Sequence, residues 1–193
     1  MKKIGITGGI GSGKSMIGLI LESMGYALFE SDRVAKKQYE KREVVHKLEQ
    51  ALKTSLWTGK ELDKKKLAEI IFTDTGKLKR VGQIIHPLVA EEFERFLHLH
   101  HEECCVFKEA AILIETGQYK NLDAVVLVTA PLKIRVERVV QRDNISREEV
   151  LKRIRNQLPQ SRLMKYAHFV IVNDGKKLIL PQIVKMLEQL NCR

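Results

Sequence analysis

The stretch Gly8-Gly9-Ile10-Gly11-Ser12-Gly13-Lys14-Ser15 carries the clearest chemistry in the sequence. It satisfies the pattern G-x-x-x-x-G-K-[ST], in which glycines let backbone N–H groups wrap closely around a polyphosphate and the following helix directs its positive end at the same charge. Gly9, Gly11, Ser12 and Gly13 form the cradle, and Lys14 is expected to reach the β- and γ-phosphates of ATP. The Ser15 hydroxyl is placed to ligate Mg²⁺ between those phosphates. An ordinary glycine-rich turn would not need the strand-like Lys3 to Thr7 before it or the helical spacing of Ile17, Ile20, Leu21 and Met24 after it.

Other residues must decide what happens to the nucleotide. Glu30-Ser31-Asp32 directly follows a second short strand, Ala27 to Phe29, so two carboxylates are expected at the rim where the phosphate loop opens. Asp32 is the candidate base that accepts a proton from an attacking hydroxyl, against the simpler reading of an Asp that caps the next helix. Phe107-Lys108-Glu109 leaves a carboxylate where a metal-organising acid could sit. In the helix from Leu132, apolar Leu132, Val136, Val139 and Val140 form one stripe, and Arg135, Arg138 and Arg142 another. That arginine face either closes over phosphate as a lid, helped by Arg153, or is simply solvated. There is no N-K-x-D guanine signature and no hydrophobic strand ending in Asp-Glu.

These residues need a scaffold of alternating strands and helices. Further strands are expected at Cys104 to Phe107, Ala124 to Thr129 and Phe169 to Val172, all apolar and β-branched enough for a buried parallel sheet. Gly25 is a helix stop, Pro131 a helix start, Ser146-Arg147-Glu148-Glu149 a capping box, and Ile179 to Leu190 a closing helix. From Asp32 to about His101 the pattern is helical and charged, with breaks near Thr58-Gly59 and Asp74-Thr75-Gly76, and with Pro87 able to open another helix. The expected fold is therefore α/β: a P-loop NTPase-like, doubly wound parallel sheet of about five strands. The core is expected at 1–31, 102–131 and 167–193, a helical substrate-binding insertion at 32–101 and a helical lid at 132–166.

With 193 residues, 44% of them hydrophobic and 30% charged, the composition is that of a soluble globular chain. No apolar run approaches a membrane span, and the glycine-rich start does not read as a signal peptide. Three cysteines with no CxxC pair fit a reducing cytoplasm, and the vicinal Cys104 and Cys105 read as strand packing residues on opposite sheet faces. The net charge is +10, and Arg33 to Arg80 holds fourteen Lys/Arg against seven Asp/Glu, so this region wants an anionic partner. It has few aromatics and no nucleic-acid-binding motif, which favours a phosphate-bearing metabolite over nucleic acid. His98, His100 and His101 lack partners at zinc spacing and read as a polar helix end, and Trp57 reads as local core.

Thr7 through Ser15, Glu30-Ser31-Asp32, His86-Pro87, Ile112-Leu113-Ile114-Glu115, Gln141-Arg142-Asp143, Arg153-Ile154 with Gln157, and Ala167 through Gly175 together resemble the dephospho-coenzyme A kinase family along nearly the whole chain. The resemblance implies transfer of the ATP γ-phosphoryl group to the 3′-hydroxyl of dephospho-coenzyme A, with Mg²⁺; the chain is expected to be a cytoplasmic monomer with no membrane or nucleic-acid partner. It assigns Lys14, Asp32 and Arg142 to catalysis and adds Met16, Arg138 and Asn173 to the ATP-binding set. Thr7, Asp32, His86 and Glu115 fall on the acceptor side. The departures are Glu30 and Met16, where Asp and Thr are usual, Ala111 in place of a common Pro, and His168 and Val172 in place of acidic residues. The alternatives are another P-loop kinase and a nucleotide-regulated nucleic-acid-binding protein.

Overall fold

The computed structural model describes residues 1–58 and 61–192. Its main sheet consists of β1 (Lys2–Thr7), β2 (Ala27–Glu30), β5 (Cys105–Glu109), β6 (Ala124–Thr129) and β7 (Phe169–Val172). All of these strands run parallel, in the order β2-β5-β1-β6-β7. Strand order reverses at β1, so the loop after β1 opens at the topological switch point, where open α/β sheets bind ligands. Parallel pairing needs a crossover after each strand. Helices α1 (Lys14–Ser23), α6 (Leu132–Asp143), α7 (Arg147–Arg155), α8 (Gln160–Leu163) and α9 (Ile179–Gln189) lie in these connections or follow the last strand.

The sequence explains why both sheet faces are buried. Along β6 all six residues are buried, with Ala124, Val126 and Val128 on one face and Val125 and Leu127 on the other. The first face meets Ile17 and Leu21 of α1 and Ile183, Met186 and Leu187 of α9. The second meets Leu113, Ile114 and Leu163. Each such side chain taken fully out of water stabilises the fold by about 1.5–3 kcal/mol before ordering costs. Gly25, at φ 92°, ends the turn after α1 in a left-handed conformation, as expected of a helix stop. The capping box of α7 also forms: Ser146 Oγ accepts from Glu149 N–H, and the Glu149 carboxylate accepts from Ser146 N–H.

The chain divides into two compact units, residues 1–30 with 100–193, and residues 31–99. The second unit contains α2 (Ser31–Gln38), α3 (Arg42–Leu52), α4 (Lys64–Thr73) and α5 (Thr75–Leu99), with a short antiparallel pair, β3 (Trp57–Thr58) and β4 (Glu61–Leu62). Its core joins Val44, Val45, Leu48 and Leu52 of α3 with Val81, Ile85, Val89, Phe93 and Leu97 of α5. No alternation in the sequence announces the β3–β4 pair; of the predicted break at Thr58-Gly59, Gly59 lies outside the described residues. Trp57 belongs to local structure, its indole N–H donating to Glu49 at 3.2 Å.

Two expectations are corrected. Pro87 does not open a helix but lies inside α5. The i, i+4 series Val81, Ile85, Val89, Phe93, Leu97 stays buried on both sides of it, and that continuous packing outweighs the one backbone hydrogen bond proline removes. Cys104 and Cys105 do not point apart. Strand β5 starts only at Cys105, so Cys104 escapes the strand's alternation and its sulfur sits 3.9 Å from that of Cys105. Among the described residues no helix is long and apolar enough to cross a membrane.

Candidate active site

The phosphate loop is shaped from behind. Arg135 Nε donates to the Ile10 carbonyl at 2.9 Å, Asn173 Nδ2 donates to the Ser12 carbonyl at 2.9 Å, and the Arg138 guanidinium leans on the Gly11 and Ser12 carbonyls at 3.4 and 3.5 Å. Across a trans peptide the C=O and the next N–H point in opposite directions. Holding the carbonyls of Ile10 and Ser12 on the helix side therefore turns the N–H groups of Gly11 and Gly13 to the other side. Among the described residues the amides of Gly11, Gly13 and Lys14 donate to no protein acceptor. They form a nest of positive ends at the start of α1, which is the electrostatic requirement for a polyphosphate.

This bracing gives the glycines a second reason to be glycines. A Cβ on Gly9 would collide with the guanidinium of Arg135, one on Gly11 with the Arg135 backbone, and one on Gly13 with the Asn173 carboxamide. Gly11 and Gly13 also hold left-handed φ values of 77° and 96°. Close approach of α6 and of Asn173 thus needs small residues here even before any ligand is considered. Burial lowers the Arg135 guanidinium from its usual value through desolvation, and its carbonyl contact is what offsets that cost. Gln157, just beyond α7, accepts from Ile10 N–H at 2.8 Å and ties that amide down.

At the front of the loop three functional groups converge. Glu109, the buried last residue of β5, lies 3.8 Å from Lys14 Nζ and accepts from Ser15 Oγ at 3.4 Å. The register explains the meeting: Ile6 of β1 pairs with Glu109, so both strands end together beneath the loop. A hydroxyl and a carboxylate within 3.4 Å of each other are the hard oxygen donors that Mg²⁺ takes, so the residues fit that ion. Thr7, fully buried at the end of β1, leaves its hydroxyl without a hydrogen-bond partner among the described residues, and Ser12 does the same. Met16 is exposed in the first turn of α1.

Arg142 is exposed at the far end of α6, where Nε and Nη2 hold Asp143 at 2.7 and 3.2 Å, and Arg153 holds the same carboxylate at 3.0 Å. Hydrogen bonding to Arg142, with further help from Arg153, pulls the Asp143 carboxyl below its usual range. Glu115 accepts from Leu158 N–H at 3.3 Å. In the second unit, Asp32 is exposed in the first turn of α2 and its carboxylate makes no hydrogen bond among the described residues, so it does not cap the helix. His86 is exposed on α5 over Gly82, and partial desolvation holds its imidazolium below the usual range.

Arg135 is the functional residue that the sequence places least well. Helical spacing groups it with Arg138 and Arg142 on one face, yet only Arg135 and Arg138 reach the loop, and Arg135 is buried. The available signal is the glycine spacing, which demands a close neighbour as well as a ligand.

Comparison with known proteins agrees with this geometry. A family model described as dephospho-CoA kinase matches residues 2–178. A dephospho-CoA kinase of Bacteroides fragilis is 42% identical over 188 residues, spanning 96% of this chain and 91% of that one. A crystal structure from Thermus thermophilus superposes with a TM-score of 0.88 at 36% identity, covering 97% of this chain and 96% of its own. The dephospho-CoA kinase of Campylobacter jejuni gives 0.69 at 27% identity over the same shares. With the match running through the phosphate loop, the sheet and the helices that brace them, this chain belongs to the dephospho-CoA kinase family.

Proposed function

We propose that the protein transfers the γ-phosphoryl group of ATP to the 3′-hydroxyl of dephospho-coenzyme A, releasing ADP and coenzyme A. The observation that carries this reading is the convergence of Lys14, Ser15 and Glu109 in front of a loop whose amides face away from its helix-side braces, in a chain of this family. Gly9, Gly11, Ser12 and Gly13 hold the polyphosphate, Met16 and Arg138 border the same nucleotide, and Asn173 keeps the cradle in shape. Ser15 and Glu109 would hold Mg²⁺, which when bound neutralises charge between the β- and γ-phosphates. Lys14 binds those phosphates from the protein side.

Asp32, two residues beyond the end of β2, accepts the proton as the 3′-oxygen bonds to phosphorus and the bond to the ADP oxygen breaks. Its exposed, unengaged carboxylate suits a group that must meet an incoming alcohol. We assign acceptor recognition to residues 32–101, with His86, and to Thr7 and Glu115, and nucleotide cover to residues 132–166, with Arg142 stabilising charge on the transferring oxygens.

The test incubates the protein with Mg²⁺-ATP and a panel of alcohols that includes dephospho-coenzyme A, nucleosides and sugar-like acceptors, and locates the new phosphate. Formation of 3′-phosphorylated product from dephospho-coenzyme A alone is expected, and preferential phosphorylation of another acceptor overturns the assignment. Asp32→Asn should slow turnover by roughly a hundred- to ten-thousand-fold while ATP affinity stays nearly intact. Near-normal turnover removes Asp32 from the base role.

A further inference from the structure

At the amino ends of β1 and β5, about 20 Å along the strands from the phosphate loop, three sulfurs converge that the phosphotransfer chemistry does not use. The Sγ atoms of Cys104, Cys105 and Cys192 all lie within 4.8 Å of one another, and all three thiols are free. Cys105 and Cys192 are completely buried, whereas Cys104 is exposed. The backbone around them is anchored from several directions. Lys2 N–H donates to the Cys104 carbonyl at 2.8 Å and Lys2 Nζ to the Leu190 carbonyl at 2.5 Å. Tyr26 donates its hydroxyl to the Cys192 carbonyl at 2.7 Å, and Cys192 N–H donates to the Leu187 carbonyl.

We propose that Cys104, Cys105 and Cys192 form a binding site for a thiophilic d¹⁰ cation of the Zn²⁺ class, held by three thiolates with its remaining position open to solvent beside Cys104. The spacing suits the task. A Zn–S bond of about 2.3 Å separates tetrahedral ligand sulfurs by about 3.8 Å. The Cys104 and Cys105 sulfurs already stand 3.9 Å apart, and Cys192 needs only a small side-chain adjustment to complete the triangle. An all-sulfur donor set selects soft ions and rejects Mg²⁺, so this site and the Ser15–Glu109 pair would not compete for the same metal. On binding, each thiol gives its proton to solvent and its sulfur lone pair to the cation, leaving a complex of net charge −1 with no change of oxidation state. The occupied site would tie the start of β5 to the segment after α9.

The experiment uses the full chain, reduced and stripped of metal, titrated with Cd²⁺ as a spectroscopic probe and then with Zn²⁺ in competition with a chromophoric chelator. Thiolate-to-Cd²⁺ charge-transfer absorption should saturate at a single equivalent per chain, and Zn²⁺ should raise the thermal midpoint. Cys192→Ser should lose stoichiometric uptake. Because that variant touches a buried position, Cys104→Ser, at the exposed thiol, is the decisive companion: it should stay folded, keep its ATP affinity, and lose one thiolate's share of the absorption. Absence of the band in the full chain, or a band unchanged in Cys104→Ser, overturns the proposal. So does loss of two free thiols in air without metal uptake, which would mark the cluster as a disulfide pair instead.

Discussion

Helix α6 sends arginines into two surroundings that differ more than their spacing suggests. At its loop-facing end Arg135 is buried with its Nε on the Ile10 carbonyl, and Arg138 leans on Gly11 and Ser12 while its Nη2 donates to Asn173 at 3.1 Å. Two turns on from Arg135, about 10 Å further along the axis, Arg142 is exposed and paired with Asp143. The three share one helix face. What separates them is what each guanidinium meets: backbone carbonyls that must be turned away from a ligand, or a carboxylate that can be exchanged for one. The near pair shapes the cradle, and the far one, in the charge-stabilising role proposed for it, would have to exchange that carboxylate for a phosphoryl group.

The sharpest way to break this contrast is Arg142→Ala. If Arg142 releases Asp143 and engages the transferring phosphoryl group, turnover should fall by about a thousandfold or more, the range seen for arginines in that role. Thermal stability should change by less than about 1 kcal/mol, because the pair it leaves is solvent-exposed. A small loss of turnover would reduce Arg142 to a surface residue. Arg135→Ala should show the reverse pattern. Removing a buried charged donor and orphaning the Ile10 carbonyl should cost about 1.5–3 kcal/mol in denaturant unfolding, and ATP affinity should weaken with it. Unchanged unfolding would mean that the loop holds its shape without α6.

A smaller effect follows from Asp143. Its folded-state pKa lies below the unfolded value, so its pairing stabilises the protein above the unfolded carboxylate pKa of about 3.9, and that contribution fades as pH falls through the lower folded value. The stability difference between wild type and Arg142→Ala should therefore be full near neutrality and close towards zero in acid. A difference that does not vary with pH would show that Asp143 is held by something other than its arginines.

The sheet is largely legible in the sequence because a parallel strand buried on both faces must be apolar throughout. For Ala124 to Thr129 the apolar run and the strand coincide to the residue for that reason, and Phe169 to Val172 coincides too, although on this edge strand Val170 is exposed. The phosphate loop is legible from its spelling. The braces behind it are not: Arg135 lies 125 residues from Ile10 and Asn173 lies 161 residues from Ser12, separations that no local pattern connects. Only the fold brings Arg135 against Gly9 and Gly11, and Asn173 against Gly13. Pro87 misleads because a single residue's preference says nothing of the buried series on either side of it, and the thiol cluster is invisible because Cys192 meets Cys104 and Cys105 only across the folded sheet.

The carbonyl braces carry a last consequence. A grip whose shape is imposed from its rear can be retuned without altering any atom that touches the nucleotide. Exchanges at Arg135 of α6, or at the exit of β7 where Asn173 sits, should act as a remote dial on ATP affinity. Natural variation in nucleotide preference would then accumulate behind the loop while the glycine motif itself stayed unchanged.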